Sequence, residues 1–284
     1  MIQALRKHWP EYLIEAWALG TFMISASLFT ALLEYPRSPV YQMLPHAALR
    51  HALNGLAMGL TAISIIYSRW GQQSGAHMNP AFTLTFLWLR KIHPRDAVFY
   101  AVAQTAGGVA GILMARLALG KIMTDPTVNW VVTVPGPAGL SAAFAAETII
   151  AGGLMLMVLW VTNTPRLARY TGLFAGALVA LYITVEAPLS GMSINPARTV
   201  ASALPSGIWT AGWVYFTAPI LGMLLAAGVY RVLKARLPQA CPKYHHGTER
   251  RCIFCGYEPG AAFSTTRRGA TRSETGYVSA PGRK

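Results

Sequence analysis

The chain has 284 residues, 54% of them hydrophobic and only 12% charged, with a mean hydropathy of +0.39 and a formal net charge of +14. Soluble domains carry about 25% charged residues, so this composition excludes an ordinary soluble enzyme and points to a membrane-embedded chain. The basic excess also invites a nucleic-acid reading, which the placement of the charges rejects: long stretches carry almost none, and Lys and Arg fall at the ends of apolar runs.

Six segments, near 10–33, 47–68, 96–119, 141–162, 169–187 and 209–233, are long enough to span a bilayer at about 20 residues each. The first contains Glu15, followed by Gly20-Thr21-Phe22. After the second comes a shorter apolar stretch, 79–89, which opens with Asn79-Pro80-Ala81. The third contains Tyr100 and Ala103-Gln104, and the fourth contains Glu147. After the fifth, a second short stretch, 195–204, opens with Asn195-Pro196-Ala197 and continues with Arg198. The chain has five Asn residues, and two of them sit in the same tripeptide. Asn as N-cap with Pro at the first helical position is a favoured helix start. The short stretches therefore read as re-entrant half-helices rather than amphipathic surface helices, tolerated where protein or a water-filled cavity surrounds them.

Each half has a span with a Glu, a second span, an Asn-Pro-Ala and a third span. Three spans per half make the second repeat start on the opposite side of the membrane, so the repeats are inverted. The two half-helices should meet near the middle, their positive ends opposed. Glu15 and Glu147, at matching positions, are expected to anchor the loops by accepting backbone N–H groups, in preference to a proton relay. Arg6 and Lys7, then Arg90, Lys91 and Arg95, then Arg166 and Arg169, then Arg231, Lys234 and Arg236 fall on one side. The positive-inside rule puts both termini in the cytoplasm. The expected location is the inner (plasma) membrane of a bacterium, and no cleavable signal peptide is visible.

These features resemble the aquaporin, or major intrinsic protein, family. The resemblance rests on Ser74-Gly75-Ala76-His77-Met78-Asn79-Pro80-Ala81 and Met192-Ser193-Ile194-Asn195-Pro196-Ala197-Arg198, with Glu15, Gly20-Thr21, Tyr100, Ala103-Gln104 and Glu147. It covers roughly 10–236 and implies an all-α membrane fold of six transmembrane helices and two re-entrant half-helices. It further implies a homotetramer with one pore per subunit, conducting water and needing no cofactor for transport. By this resemblance Asn79 and Asn195 donate amide N–H groups to the permeant. Backbone carbonyls of Gly75, Ala76, His77 and Met78, and of Gly191, Met192 and Ser193, form an acceptor ladder. Local alignment places Met58, Ile183, Met192 and Arg198 at the narrow outer constriction. Water-selective members have an aromatic and a His there, and the His place holds Ile183. A glycerol or other small-neutral-solute facilitator is therefore the alternative, although Thr199 stands where such facilitators have Asp. Glu186, just before Ala187-Pro188, either pins the loop that carries Arg198 or pairs with that Arg.

The expected organisation is a cytoplasmic N-terminus, 1–9, a channel domain, 10–236, with repeats near 10–119 and 141–233, and two tail segments. Segment 237–259 holds all three Cys of the chain. The spacing Cys241-x3-His245 (or x4, to His246) followed by Cys252-x2-Cys255 supplies four soft ligands for a structural zinc. The alternative is a basic tail with incidental Cys and His. Residues 260–284, rich in Gly, Ser, Thr and Arg, read as disordered and able to touch anionic lipid. The membrane portion lacks a cluster of titratable groups suited to catalysis, so an enzyme is not expected. A metal sensor working through the tail is the reading from another class.

Overall fold

The computed structural model describes residues 1–233, 241–246 and 249–259, and the 260–284 tail lies outside the described residues. The regular structure of the described residues is helical, interrupted by non-helical loops at 75–79 and 191–195. In chain order the helices are α1 (Ile2–Glu34), α2 (Pro39–Met43), α3 (Ala47–Tyr67), α4 (Arg69–Ser74), α5 (Pro80–Trp88) and α6 (Pro94–Leu119). They continue with α7 (Leu140–Thr162), α8 (Thr171–Val185), α9 (Ala187–Ser190), α10 (Pro196–Ser206) and α11 (Gly212–Leu233). Six helices, starting at Ile2, Ala47, Pro94, Leu140, Ala168 and Gly212 when flanking 3-10 turns are included, are long and apolar enough to cross a membrane. α5, with 9 residues, and α10, with 11, are too short to cross.

α1 begins at Ile2 and runs 33 residues, so residues 2–9 form its first turns. Its early turns are held by Asp96 at the start of α6, which meets His8 Nδ1 at 2.9 Å and accepts from the Tyr12 hydroxyl at 2.6 Å. The long helices form matched close pairs, α1 with α6 and α7 with α11, and α3 packs on α8. Small residues permit this approach. A Cβ on Gly20 would lie 2.9 Å from the Gly107 carbonyl oxygen, and one on Gly152 would lie 3.1 Å from that of Gly222. Leu117, Val232 and Ile149 are more than two-thirds exposed on the outer surface, an apolar exterior suited to lipid.

The two-fold character extends to the loops. Tyr100 of α6 donates its hydroxyl to the Ser74 carbonyl at 2.7 Å, and Tyr215 of α11 donates to the Ser190 carbonyl at 2.6 Å. Each Ser ends the short helix before an Asn-Pro-Ala and is followed by a left-handed Gly, Gly75 at φ 97° and Gly191 at φ 82°. Only Gly takes that conformation without steric cost. The chain thus turns back at the same place in both halves and brings α5 and α10 in from opposite faces.

Candidate functional site

The centre of the fold is where the first turns of α5 and α10 meet. Asn79 caps α5, its Oδ1 accepting from Ala81 N at 2.8 Å. Asn195 caps α10, accepting from Ala197 N at 3.0 Å and Arg198 N at 3.3 Å. Because each oxygen faces its own helix, each amide nitrogen must face away. Asn79 Nδ2 donates to the Ile194 carbonyl at 2.7 Å, and Asn195 Nδ2 donates to the Met78 carbonyl at 2.6 Å. The residue before each motif therefore receives the Asn of the other. An amide carries two N–H donors, so one on each Asn is left for a guest at the junction.

Both loops reach this junction through alternating left-handed residues: Ala76 and Met78 in the first, Met192 and Ile194 in the second. For non-Gly residues this backbone is costly and persists only when the surroundings dictate it. Here two buried carboxylates do so. Glu15 accepts from His77 N at 3.0 Å, Met78 N at 2.7 Å and Gln104 Nε2 at 2.8 Å. Glu147 accepts from Ser193 N and Ile194 N, both at 2.6 Å, and from the Ser190 hydroxyl at 2.8 Å. These N–H groups have no helix to satisfy them, and an unpaired buried donor costs about 1–3 kcal/mol.

One cavity threads the junction. Its wall includes both Asn side chains and all four constriction candidates, Met58, Ile183, Met192 and Arg198. Towards the end of the bundle opposite the N-terminus it is walled by Thr30, Asn54 and Thr127–Asn129; towards the N-terminal end it is walled by Ile66, His77 and Tyr244. Arg198 sits in the first turn of α10, where a cation opposes the helix dipole. Its Nη1 is buried without a hydrogen-bond partner. Such a donor beside a cavity is placed to bind what enters.

Neither expected role of Glu186 is seen. Both of its carboxyl oxygens are buried without a hydrogen-bond partner, and it forms no ion pair with Arg198. The loop donors it was expected to hold are taken elsewhere: Ser193 N and Ile194 N by Glu147, and Met192 N by the Ser190 hydroxyl at 3.1 Å.

The tail packs on the N-terminal face. Cys241, His246, Cys252 and Cys255 each bring one ligand atom into a group lying within 4.8 Å of one another. Cys241 Sγ is 3.2 Å from Cys252 Sγ, and His246 Nε2 is 3.2 Å from Cys255 Sγ. A tetrahedral zinc with bonds of about 2.3 Å to S and 2.0 Å to N needs donors slightly farther apart than these, so a small expansion accommodates the ion. The histidine in this group is His246, and His245 is turned away. The His245 ring packs against Tyr67 with centroids 5.1 Å apart.

Sequence reasoning missed what lies between these ligands. The Pro242 carbonyl faces His77 Nε2 at 2.6 Å, and Tyr244 N donates to the Gly75 carbonyl at 3.3 Å. Lys243 Nζ donates to the carbonyls of Gln72 and Gln73 at 2.9 and 2.8 Å. Tyr244 stacks on Phe82 at 4.7 Å, and Phe254 stacks on His77 at 5.4 Å. The aromatic residues interleaved with the Cys and His were the available signal.

A family profile described as Major intrinsic protein matches residues 5–230. Aquaporin NIP6-1 of Arabidopsis thaliana is 38% identical over 190 residues, covering 66% of this chain and 60% of the relative. Aquaporin NIP3-1 of Oryza sativa subsp. japonica is 37% identical over 185 residues, covering 64% and 58%. The chain thus spans about three-fifths of the length of these curated relatives. Probable aquaporin NIP5-1 of Arabidopsis thaliana is 35% identical over 217 residues, covering 76% and 67%. Among solved structures, the aquaglyceroporin from Plasmodium falciparum shares the fold, with a TM-score of 0.68 at 20% identity over 80% of this chain and 98% of that one.

Proposed function

The chain belongs to the major intrinsic protein family, and from this premise we propose that it is a passive channel for water and small neutral solutes that excludes ions and protons. The observation that carries the reading is the pair of crossed amides, Asn79 to Ile194 and Asn195 to Met78, in the wall of the central cavity. A water there accepts from the spare N–H of each Asn and must turn its own hydrogens outward. The two opposed helix starts add positive potential at that point. Both effects disfavour cations and a continuous proton wire.

At the constriction, Met58, Ile183 and Met192 supply apolar walls and Arg198 supplies donors. This ring favours passage of a small neutral solute with a hydrocarbon side, such as glycerol, alongside water. In this reading the site residues are Asn79, Pro80, Ala81, Asn195, Pro196 and Ala197, the four constriction residues, and the loop anchors Glu15 and Glu147. Transport uses no cofactor and no catalytic residue.

The protein spans the membrane, which this reading takes to be a bacterial plasma membrane. Lys7, Arg95, Arg169 and Arg231 support placing the N-terminal face, and with it both termini, in the cytoplasm. The homotetramer that the family resemblance implies is part of this reading. In the tail, Cys241, His246, Cys252 and Cys255 fit a closed structural zinc site.

Stopped-flow light scattering on proteoliposomes under water, glycerol and urea gradients tests the reading. Permeability above that of empty vesicles is expected for water, and its absence from both wild type and a variant lacking the tail contact of Tyr244 would refute the channel.

A further inference from the structure

The tail does more than rest near the pore. Gly75 is the first rung of the carbonyl ladder expected to pass the permeant along, and its carbonyl is occupied by Tyr244 N. His77 walls the same cavity, and its Nε2 is occupied by the Pro242 carbonyl. The Tyr244 ring is itself part of the cavity wall and is 6% exposed. Two residues of the tail, Pro242 and Tyr244, thus use groups that a stream of water would otherwise contact.

Those residues lie inside the metal-ligand frame, between Cys241 and His246, and Phe254, which stacks on His77, lies between Cys252 and Cys255. Six residues closed at both ends by one ion lose most of their conformational freedom before they dock. The ligand set is three thiolates and one imidazole, which suits a soft, tetrahedral divalent cation and not Mg²⁺ or Ca²⁺. An outer clamp fixes the assembly: Arg251 donates to both Glu11 oxygens, at 3.0 and 2.9 Å, and to the Lys7 carbonyl at 3.1 Å.

We propose that Zn²⁺ bound by Cys241, His246, Cys252 and Cys255 folds the tail into a plug that closes the cytoplasmic mouth of the chain's own pore, and that loss of the ion opens it. The inference rests on the channel reading and adds its control: a pore shut by Tyr244 when zinc is bound and released when the site is emptied.

The test uses the full chain in proteoliposomes, with metal content measured on the same preparations. Three proteins are compared: wild type, Cys252→Ser/Cys255→Ser, which removes two ligands, and Tyr244→Ala, which removes the stopper and keeps every ligand. Wild type is expected to carry one zinc per chain and to conduct water poorly. A membrane-permeant chelator should raise its permeability about tenfold or more, and added Zn²⁺ should reverse this. The double variant should hold no zinc and Tyr244→Ala should hold it, and both should conduct whether or not zinc is present. Equal permeability of wild type and both variants, above empty vesicles and indifferent to zinc, would overturn the plug. Wild type without zinc after purification in its presence would overturn the metal site. No conduction by any of the three, with zinc bound as expected, would instead refute the channel reading, because Tyr244→Ala lacks the ring in the cavity wall and the double variant lacks the metal frame that orders the whole plug.

Discussion

His77 Nε2 lies 2.6 Å from the Pro242 carbonyl oxygen, a contact that joins the loop before the first half-helix to a residue 165 positions later. A carbonyl can only accept, so Nε2 carries the proton and Nδ1 of the neutral ring is an acceptor. Nδ1 faces the Thr83 hydroxyl at 3.0 Å, whose one proton also has the Asn79 carbonyl within reach at 3.1 Å. One imidazole thereby links the first turn of α5 to the tail.

The outer clamp of the tail can be loosened without touching this contact. Arg251→Ala removes the only ion pair that Glu11, fully buried, makes among the described residues. Glu11 retains Gln73 Nε2 at 3.1 Å. Arg251 is itself partly exposed, so the loss is modest, about 1–2 kcal/mol of local docking energy. Amide hydrogen exchange of residues 241–259 should speed up by about tenfold, while exchange in α1 and α6 stays unchanged. Unchanged exchange in the tail would show that the clamp is dispensable.

The two loop anchors should be unequal to their amide replacements. Glu147→Gln keeps one acceptor oxygen for Ser193 N or Ile194 N, whereas Glu147→Ala keeps none. Each orphaned buried N–H costs about 1–3 kcal/mol. Thermal unfolding in detergent should therefore rank wild type above Glu147→Gln above Glu147→Ala, with the same order at Glu15. A Glu147→Ala protein as stable as wild type would remove the anchoring role.

Much of this fold is written in local chemistry, and that part is legible from sequence. Asn-Pro starts a helix wherever it falls, and runs of about 20 apolar residues read as spans. Glu15 and Glu147 stand out because a carboxylate in a span needs partners. What sequence cannot show is pairing that depends on distant turns. Choosing between His245 and His246 needs the path of the chain from Cys241 towards Cys252 and Cys255. The docking of Pro242 on His77 depends on where the tail returns after α11. Glu186 sat close in sequence to a loop rich in N–H groups, but Glu147 of α7 had already taken the donors.

Glu186 lies one residue past the fifth span, and burial pushes its carboxyl up to about 7. The folded protein therefore holds this proton more tightly than the unfolded chain, whose value is near 4.5. Below pH 4.5 the group is neutral in both states and costs nothing. Stability falls as pH rises from about 4.5 to about 7 and then levels, with an upper bound of about 3 kcal/mol. Glu186→Gln should raise the melting temperature at pH 8 and leave it unchanged at pH 4.5. An equal gain at both pH values would show that ionisation is not the cause.

The proposed constriction can be tested at Ile183. Ile183 of α8 walls the cavity together with Met58, Met192 and Arg198. Ile183→His would replace a hydrocarbon surface with a ring that must be hydrogen-bonded, and water can satisfy it where the carbon face of glycerol cannot. Discrimination of this kind is worth about 1–3 kcal/mol. In a background opened by Tyr244→Ala, the ratio of glycerol to water permeability should fall by about tenfold or more. Arg198→Ala in the same background should leave water flow intact and raise cation leak, since it removes the fixed positive charge of the ring. A glycerol-to-water ratio unmoved by Ile183→His would place the selective step elsewhere along the cavity.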